Sequence, residues 1–210
     1  MIRDRRTYIG GSDAAAILGL SRWRTPLGVW AIKTGQVVPQ DISQKVPVKL
    51  GNKLEQAVAE FFEEELQKKV YPITEQACQS LGLRYFIREE DGQKKITFMH
   101  PQYDFLGASI DRGVEGEEAG LECKTTSAYK TREWEGEQIP IENIFQCLHY
   151  MAVTGWPKWY IAALIGNQVF DWKLLVRKDY TGDVSMIPKE RLNLIEPKVI
   201  DDMVAKEVAF

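Results

Sequence analysis

The stretch that most restricts how this chain can fold is Gly107-Ala-Ser-Ile-Asp111, followed across Glu115-Gly116-Glu117 by Leu121-Glu-Cys-Lys124. Side chains alternate faces along a strand. Glu122 and Lys124 therefore share one face, and Leu121 and Cys123 point to the other, toward a core. Asp104 to Arg112 and Ala119 to Thr125 read as the two arms of a hairpin. With its turn centred between Gly116 and Glu117, Asp111 falls opposite Glu122, and direct cross-strand partners project from the same face. Two carboxylates and an ammonium then converge. A solvated ion-pair cluster on a sheet surface is the plain alternative for so short a pattern.

The flanking sequence supplies helices. Gly10-Gly11-Ser12 precedes Asp13-Ala-Ala-Ala-Ile-Leu18, so Ser12 reads as an N-cap and Gly19 as a stop. Thr25-Pro26 opens a second helix that Gly35 ends. A longer helix is expected from about Val48 to Lys69, with Leu54, Val58, Phe61 and Phe62 as its apolar face. Residues 70–125 read as strands broken by turns. Pro140 to Val153 reads as a helix stopped by Gly155. Lys158 to Ile165 and Val169 to Val176 form a hairpin around Gly166-Asn167, and Pro188 and Pro197 open two final helical pieces. This order predicts an α/β chain with a central mixed sheet flanked by helices.

Charge is unevenly placed. The net charge of the 210 residues is −3, which argues against a generally basic nucleic-acid coat. Residues 1–53, however, hold nine Lys or Arg against three Asp, and the acidic surplus lies in the remainder. Distribution matters more than the sum. The three cysteines, Cys78, Cys123 and Cys147, are too few and too widely spaced for a disulfide framework or a four-thiolate metal site. A reducing cytoplasm fits. The charged start has no apolar h-region, and the longest apolar run, Trp159 to Ile165, is far too short to span a bilayer; no membrane association is expected.

Two carboxylates held close repel unless a cation lies between them. Hard oxygen ligands select Mg2+, with Mn2+ as a substitute. A neighbouring lysine can orient water and offset developing charge, so these parts suit metal-assisted phosphodiester hydrolysis.

Asp111…Glu122-Cys123-Lys124 resembles the PD-(D/E)xK nuclease superfamily, although Ile110 stands where the superfamily's proline usually precedes the aspartate. The surrounding sequence resembles one branch, the phage lambda-type (YqaJ-like) recombination exonucleases. Arg5 to Gly19 is similar to that family's N-terminal segment, Leu50-Gly-Asn-Lys-Leu-Glu55 to its helical glutamate motif, and Gln146-Cys-Leu-His-Tyr150 to its Gln-xxx-Tyr motif. The resemblance implies a restriction-endonuclease-like core in a single nuclease domain over 1–210, with a basic helical part (1–53), a catalytic core (54–176) and C-terminal helices (177–210).

It also implies roles. Asp111, Glu122 and the Cys123 carbonyl would hold metal. Lys124 would position and activate water, Glu55 would assist from the long helix, and Gln146 would lie near the nucleophile or Lys124. Arg5, Ser12 and Ser109 match positions that hold a 5′-phosphate. From the residues themselves, Arg22, Arg24 and Trp23 form a basic-plus-aromatic patch that could contact DNA backbone and bases. From the residues alone, Glu55 reads equally as a solvent-facing helical glutamate, Ser12 as a cap, Arg22 and Arg24 as a surface loop, and Tyr150 as packing. His100 and His149 read as structural, and Trp156, Trp159 and Trp172 as core.

The implied activity is a Mg2+-dependent 5′→3′ exonuclease acting on double-stranded DNA ends and leaving a 3′ tail for a single-strand annealing protein. The implied assembly is a ring-shaped homotrimer. The rivals are a structure- or sequence-specific endonuclease of the same superfamily and a non-catalytic DNA-binding domain.

Overall fold

In the computed structural model residues 3–90 and 93–210 are described. After a 3-10 turn over Arg5–Thr7 come β1 (Ile9–Gly10), α1 (Gly11–Ile17), α2 (Pro26–Lys33), α3 (Val46–Leu66), β2 (Val70–Pro72) and α4 (Glu75–Leu81). Then follow β3 (Tyr85–Glu90), β4 (Gln93–Met99), β5 (Leu106–Ala108), β6 (Arg112–Val114) and β7 (Ala119–Thr126). The chain continues through α5 (Ile141–Thr154), β8 (Lys158–Ile165), β9 (Val169–Arg177), β10 (Leu192–Ile195) and α6 (Pro197–Ala209).

The main sheet has six strands in the order β10-β9-β8-β7-β6-β2, and a smaller sheet runs β1-β5-β4-β3. Both are mixed. β7 and β8 are parallel, so the chain must cross over between them, and α5 makes that crossover. β8 and β9 are the expected hairpin, with Ile165 opposite Val169. Gly166 and Asn167 both take positive φ in its turn.

The unbroken apolar run of β8 follows from burial on both faces. Tyr160, Ala162 and Leu164 pack with Val58, Ala59 and Phe62 of α3. Trp159, Ile161, Ala163 and Ile165 join a second core with Leu148 and Met151 of α5 and Ile200 and Met203 of α6. Each large apolar side chain so enclosed contributes about 1.5–3 kcal/mol. The strand β7, which carries Glu122 and Lys124, lies between β8 and β6 in this sheet, with Leu121 on the α3 side.

Helix limits follow their local chemistry. Thr25 accepts the Gly28 N–H at 3.1 Å to start α2, and Gly35 turns the chain at φ +74° after it. α3 begins two residues earlier than expected and stops where Gln67 adopts φ 52°. α5 ends at Gly155, as expected.

Several expectations need correction. Gly10, not Ser12, is the N-cap of α1; the Gly10 N–H donates to the Asp13 carboxylate at 3.1 Å. The stretch 70–125 includes a helix, α4, capped by Thr74 and stopped by Gly82 at φ 65°. Asp104 to Arg112 is not one strand. β5 pairs with β4 and β1 in the small sheet, while β6 pairs with β7 in the main one. Alternation cannot separate two short consecutive strands that belong to different sheets, because only long-range pairing distinguishes them. The expected register survives the split: Arg112 lies opposite Leu121 and Gly113 opposite Gly120. Finally, Pro188 opens only a 3-10 turn, followed by β10, which pairs in parallel with β9. Pro197 does open a helix, α6.

Candidate active site

β7 presents Glu122 and Lys124 toward α5. There one hydrogen-bonded cluster forms from side chains far apart in sequence. The Lys124 ammonium contacts Glu122 Oε1 at 2.6 Å and donates to Gln146 Oε1 at 2.9 Å. Gln146 Nε2 donates to Glu122 Oε1 and to the Tyr150 hydroxyl, each at 2.7 Å. Asp111 joins from the linker into β6: its Oδ2 accepts the Cys123 N–H at 2.7 Å. The expected convergence of Asp111, Glu122 and Lys124 is therefore present. Tyr150 is buried, as packing requires, and also supports the Gln146 amide.

Like charges crowd this cluster. Burial, then the charges of Glu122 and Glu55, push the Asp111 carboxyl well above its ordinary pKa. Burial opposes the charge of Lys124, yet Glu122 and Asp111 more than offset it and hold the ammonium above the usual lysine value. Glu122 is 3% exposed, and its Oε2 is buried without a hydrogen-bond partner. Such an atom is costly unless something occupies it. A hard divalent cation fits this donor set of carboxylate oxygens and, by the resemblance, the Cys123 carbonyl. Among the described residues no three His, Cys, Asp or Glu side chains already gather as a ready-made metal cage.

Glu55 accepts from Arg112 Nη1 at 2.6 Å, and Arg112 Nη2 reaches Gln56 at 3.1 Å. Arg112 was missed at the level of sequence. Its signal was alternation: it follows Asp111 and pairs across from Leu121, so it faces α3, where Glu55 lies.

The basic N-terminal part builds a second cluster around buried Asp13. Arg5 Nη2 pairs with Asp13 Oδ2 at 2.6 Å, Lys33 Nζ with the same oxygen at 2.8 Å, and Arg24 Nη1 with Oδ1 at 3.0 Å. Burial works against the Asp13 charge, but Arg5 and Lys33 hold its carboxyl well below the ordinary range. Arg5 also donates to Ser12 Oγ at 3.2 Å, and Arg24 to the Ser12 carbonyl. These residues line a cavity of about 450 Å³. α1 is one seven-residue segment, so its positive character comes from these side chains more than from a dipole. Ser109 bonds Thr97 at 2.7 Å and is not among the residues lining this cavity.

The two clusters are mechanically joined. At Gly11, beside Ser12, a Cβ would lie 2.6 Å from Tyr150 Cε1 and 3.0 Å from both Gln146 Cγ and its carbonyl oxygen. Only glycine permits α1 to sit so close to α5.

Arg22 and Arg24 part company. Arg24 joins Asp13, whereas Arg22 pairs with Glu133 at 3.0 Å. With Trp23 and Lys130 it lines a cavity of about 160 Å³ that also includes Lys124. His100 Nδ1 accepts two backbone N–H groups in a turn. His149 meets Glu207 at 2.8 Å and the Gly107 carbonyl at 3.1 Å, a fully buried structural role. Trp156, Trp159 and Trp172 are all buried.

A mixed sheet that sets an aspartate beside a Glu-x-Lys strand, flanked by a glutamine-bearing helix, places the molecule among α/β proteins of the nuclease fold. The chain belongs to the YqaJ-like viral recombinase domain family, whose model matches residues 2–157. It is 42% identical over 199 residues to the uncharacterized protein YqaJ of Bacillus subtilis (strain 168), covering 94% of this chain and 55% of that protein; the chain thus spans about half the length of this curated relative. In structure it is similar to an alkaline exonuclease from Laribacter hongkongensis, with TM-score 0.66 and 14% identity over 98% of this chain and 86% of that one. A phage-related exonuclease from Haemophilus somnus 129PT matches with TM-score 0.53 and 13% identity over 96% and 90% of the two chains. Among the described residues no helix is long and apolar enough to cross a membrane.

Proposed function

We propose that this chain is a Mg2+-dependent exonuclease that degrades one strand of duplex DNA 5′→3′ from an end and leaves a 3′ single-stranded tail. The observation that carries this reading is the buried, unpartnered Glu122 Oε2, next to Asp111 and to the Lys124–Gln146 pair. Membership of a viral recombinase family and a fold shared with exonucleases support DNA as the substrate.

Asp111, Glu122 and the Cys123 carbonyl would hold Mg2+, or Mn2+ in its place, with Glu55 assisting. A bound ion would polarise the scissile phosphate and favour ionisation of water nearby. Lys124, kept charged by its carboxylate neighbours, donates to the attacking water and offsets charge developing on the phosphoryl oxygens. Gln146 fixes both Lys124 and Glu122 so that this geometry precedes binding. Water adds to phosphorus and the bond to the 3′ oxygen breaks. That oxygen leaves with the released nucleotide and takes a proton, and the shortened strand keeps a 5′-phosphate. The Arg5, Ser12 and Arg24 cluster would receive that phosphate, and each cleavage would regenerate its ligand. Arg22 would meet the DNA backbone beside Lys124. A homotrimeric ring, and a single-strand annealing protein that takes up the 3′ tail, complete the proposal by family resemblance.

The test compares an end-labelled linear duplex, 5′-phosphorylated on one strand only, with closed circular DNA. Loss of the phosphorylated strand alone, abolished by chelator and restored by Mg2+ or Mn2+, is expected. Efficient cutting of circles would instead establish an endonuclease. Binding without cleavage under any divalent ion would establish a non-catalytic domain.

A further inference from the structure

Lys33 lies outside every motif considered above, yet it is the most enclosed cation of the N-terminal cluster; its side chain is 13% exposed. Its ammonium contacts Asp13 Oδ2 at 2.8 Å, donates to the Arg5 carbonyl at 3.0 Å and also to the Tyr8 carbonyl. Its three donors are thus used within the protein. Two of them grip the backbone at the first residue of the 3-10 turn, Arg5, and just after its last, at Tyr8, and the third grips the carboxylate to which Arg5 and Arg24 are paired.

The charge count is specific. Three cations surround one carboxylate, leaving a surplus of two positive charges facing the cavity of about 450 Å³. The other ion pair on its lining, Arg6 with Asp4 at 2.8 Å, is self-neutralised. A terminal phosphomonoester carries about −1.5 to −2 at neutral pH, whereas a phosphate within the chain carries one charge. A +2 site matches the first and over-matches the second.

We infer that Lys33 is a specificity-determining positioning residue, which holds Arg5 and raises the cluster to the charge that selects a terminal phosphomonoester over a hydroxyl end or an internal phosphodiester. This rests on the end-recognition reading above and adds to it a residue that does not itself touch the phosphate. Burial, followed by the charge of Arg5, brings the Lys33 pKa down to about 8. The charged and titratable groups facing Lys33 are Arg5 from the 3-10 turn, Asp4 just before it, Asp13 from α1, Arg24 from the loop before α2 and the Tyr8 ring, together with the Arg5 and Tyr8 carbonyls. The surplus therefore falls toward one in the free protein as pH rises past that value.

The experiment measures kcat/KM on otherwise identical duplexes ending in 5′-phosphate or 5′-hydroxyl, for the wild-type chain, Lys33→Met and Lys33→Arg. The readout is the ratio between the two ends, which a general loss of folded protein leaves unchanged. Lys33→Met should lower that ratio about tenfold or more, chiefly through KM on the phosphorylated end. Lys33→Arg should restore it to within about threefold of wild type. A folded Lys33→Met with the wild-type ratio overturns the role of Lys33 and leaves end recognition standing. A wild-type ratio near one overturns both. Should Lys33→Met fail to fold, the wild-type ratio between pH 7 and 9.5 decides. The phosphate is already dianionic there, and kcat/KM reports groups of the free protein. The ratio should decline above about pH 8, and a flat ratio refutes the inference.

Discussion

Replacing Gly11 by alanine sets two calculable effects against each other. Alanine is favoured over glycine in a helix by up to about 1 kcal/mol, so propensity alone predicts a more stable protein. The structure predicts the opposite. The new Cβ would fall 2.6 Å from Tyr150 Cε1 and 3.0 Å from Gln146 Cγ and its carbonyl oxygen. Tyr150 is 4% exposed, and its hydroxyl accepts from Gln146, so the ring has no open space to enter. α1 and α5 must move apart by some tenths of an ångström. Overpacking of this kind costs about 1–3 kcal/mol, which leaves a net loss of up to about 2 kcal/mol after the full propensity gain. For a chain of this size that lowers Tm by up to roughly 8 °C.

The functional effect should be larger than the stability effect. Gln146, on the helix being displaced, holds Lys124 at 2.9 Å and Glu122 at 2.7 Å. A misplacement near 1 Å at a reacting centre costs about 100-fold, so a smaller shift should lower turnover on linear duplex about tenfold. Thermal melting and single-turnover hydrolysis measure the two effects. Tyr150→Leu supplies the control, because in that background the added methyl group meets less resistance and should do less harm, a coupling that a double-mutant cycle reads directly. A Gly11→Ala chain that melts at or above the wild-type temperature with unchanged turnover would show that propensity wins and that α1 and α5 do not meet as described.

Two further outcomes follow from the buried charges. Lys124→Ala should reduce hydrolysis by roughly a thousandfold while leaving DNA affinity nearly intact in a filter-binding or anisotropy assay; undiminished cleavage would remove the lysine from the mechanism. Breaking the wholly buried His149–Glu207 pair with Glu207→Gln should cost about 3 kcal/mol. Burial opposes the imidazolium, but Glu207 raises the His149 pKa above its ordinary value. The contribution is then full below about pH 6.5, the unfolded value, and is lost as pH rises through the folded pKa. The Tm difference between wild type and variant should be greatest near pH 6 and shrink toward alkaline pH; a difference that grows with pH would contradict this assignment.

Much of the site was legible from residues alone because it depends on local periodicity. The two-residue alternation of β7 sorts Glu122 and Lys124 from Leu121 and Cys123, and a turn at Gly116 sets the register opposite Asp111; both hold in the structure. Gly155 and Thr25 marked helix limits for the same reason, since caps and stops are chemistry within one turn of chain. The missed features depend on distant partners. No local pattern reveals that β5 and β6 belong to different sheets, and alternation gives the face on which Arg112 lies but not that Glu55, fifty-seven residues earlier in the chain, is its partner there.

The basic character of residues 1–53 is a property of the sequence, and so is the order of strand, helix and motif that resembles the recombination exonucleases. What the basic segment does with its charge is decided by packing. Arg22 and Arg24, two residues apart, turn to different clusters, and Lys33 acquires its place only when α2 docks beside Asp13. The physical reason is range. Hydrogen bonding and steric preference along the backbone act over a few residues and are written locally. The energy of a buried charge depends on which partners the completed fold brings within about 3 Å of it.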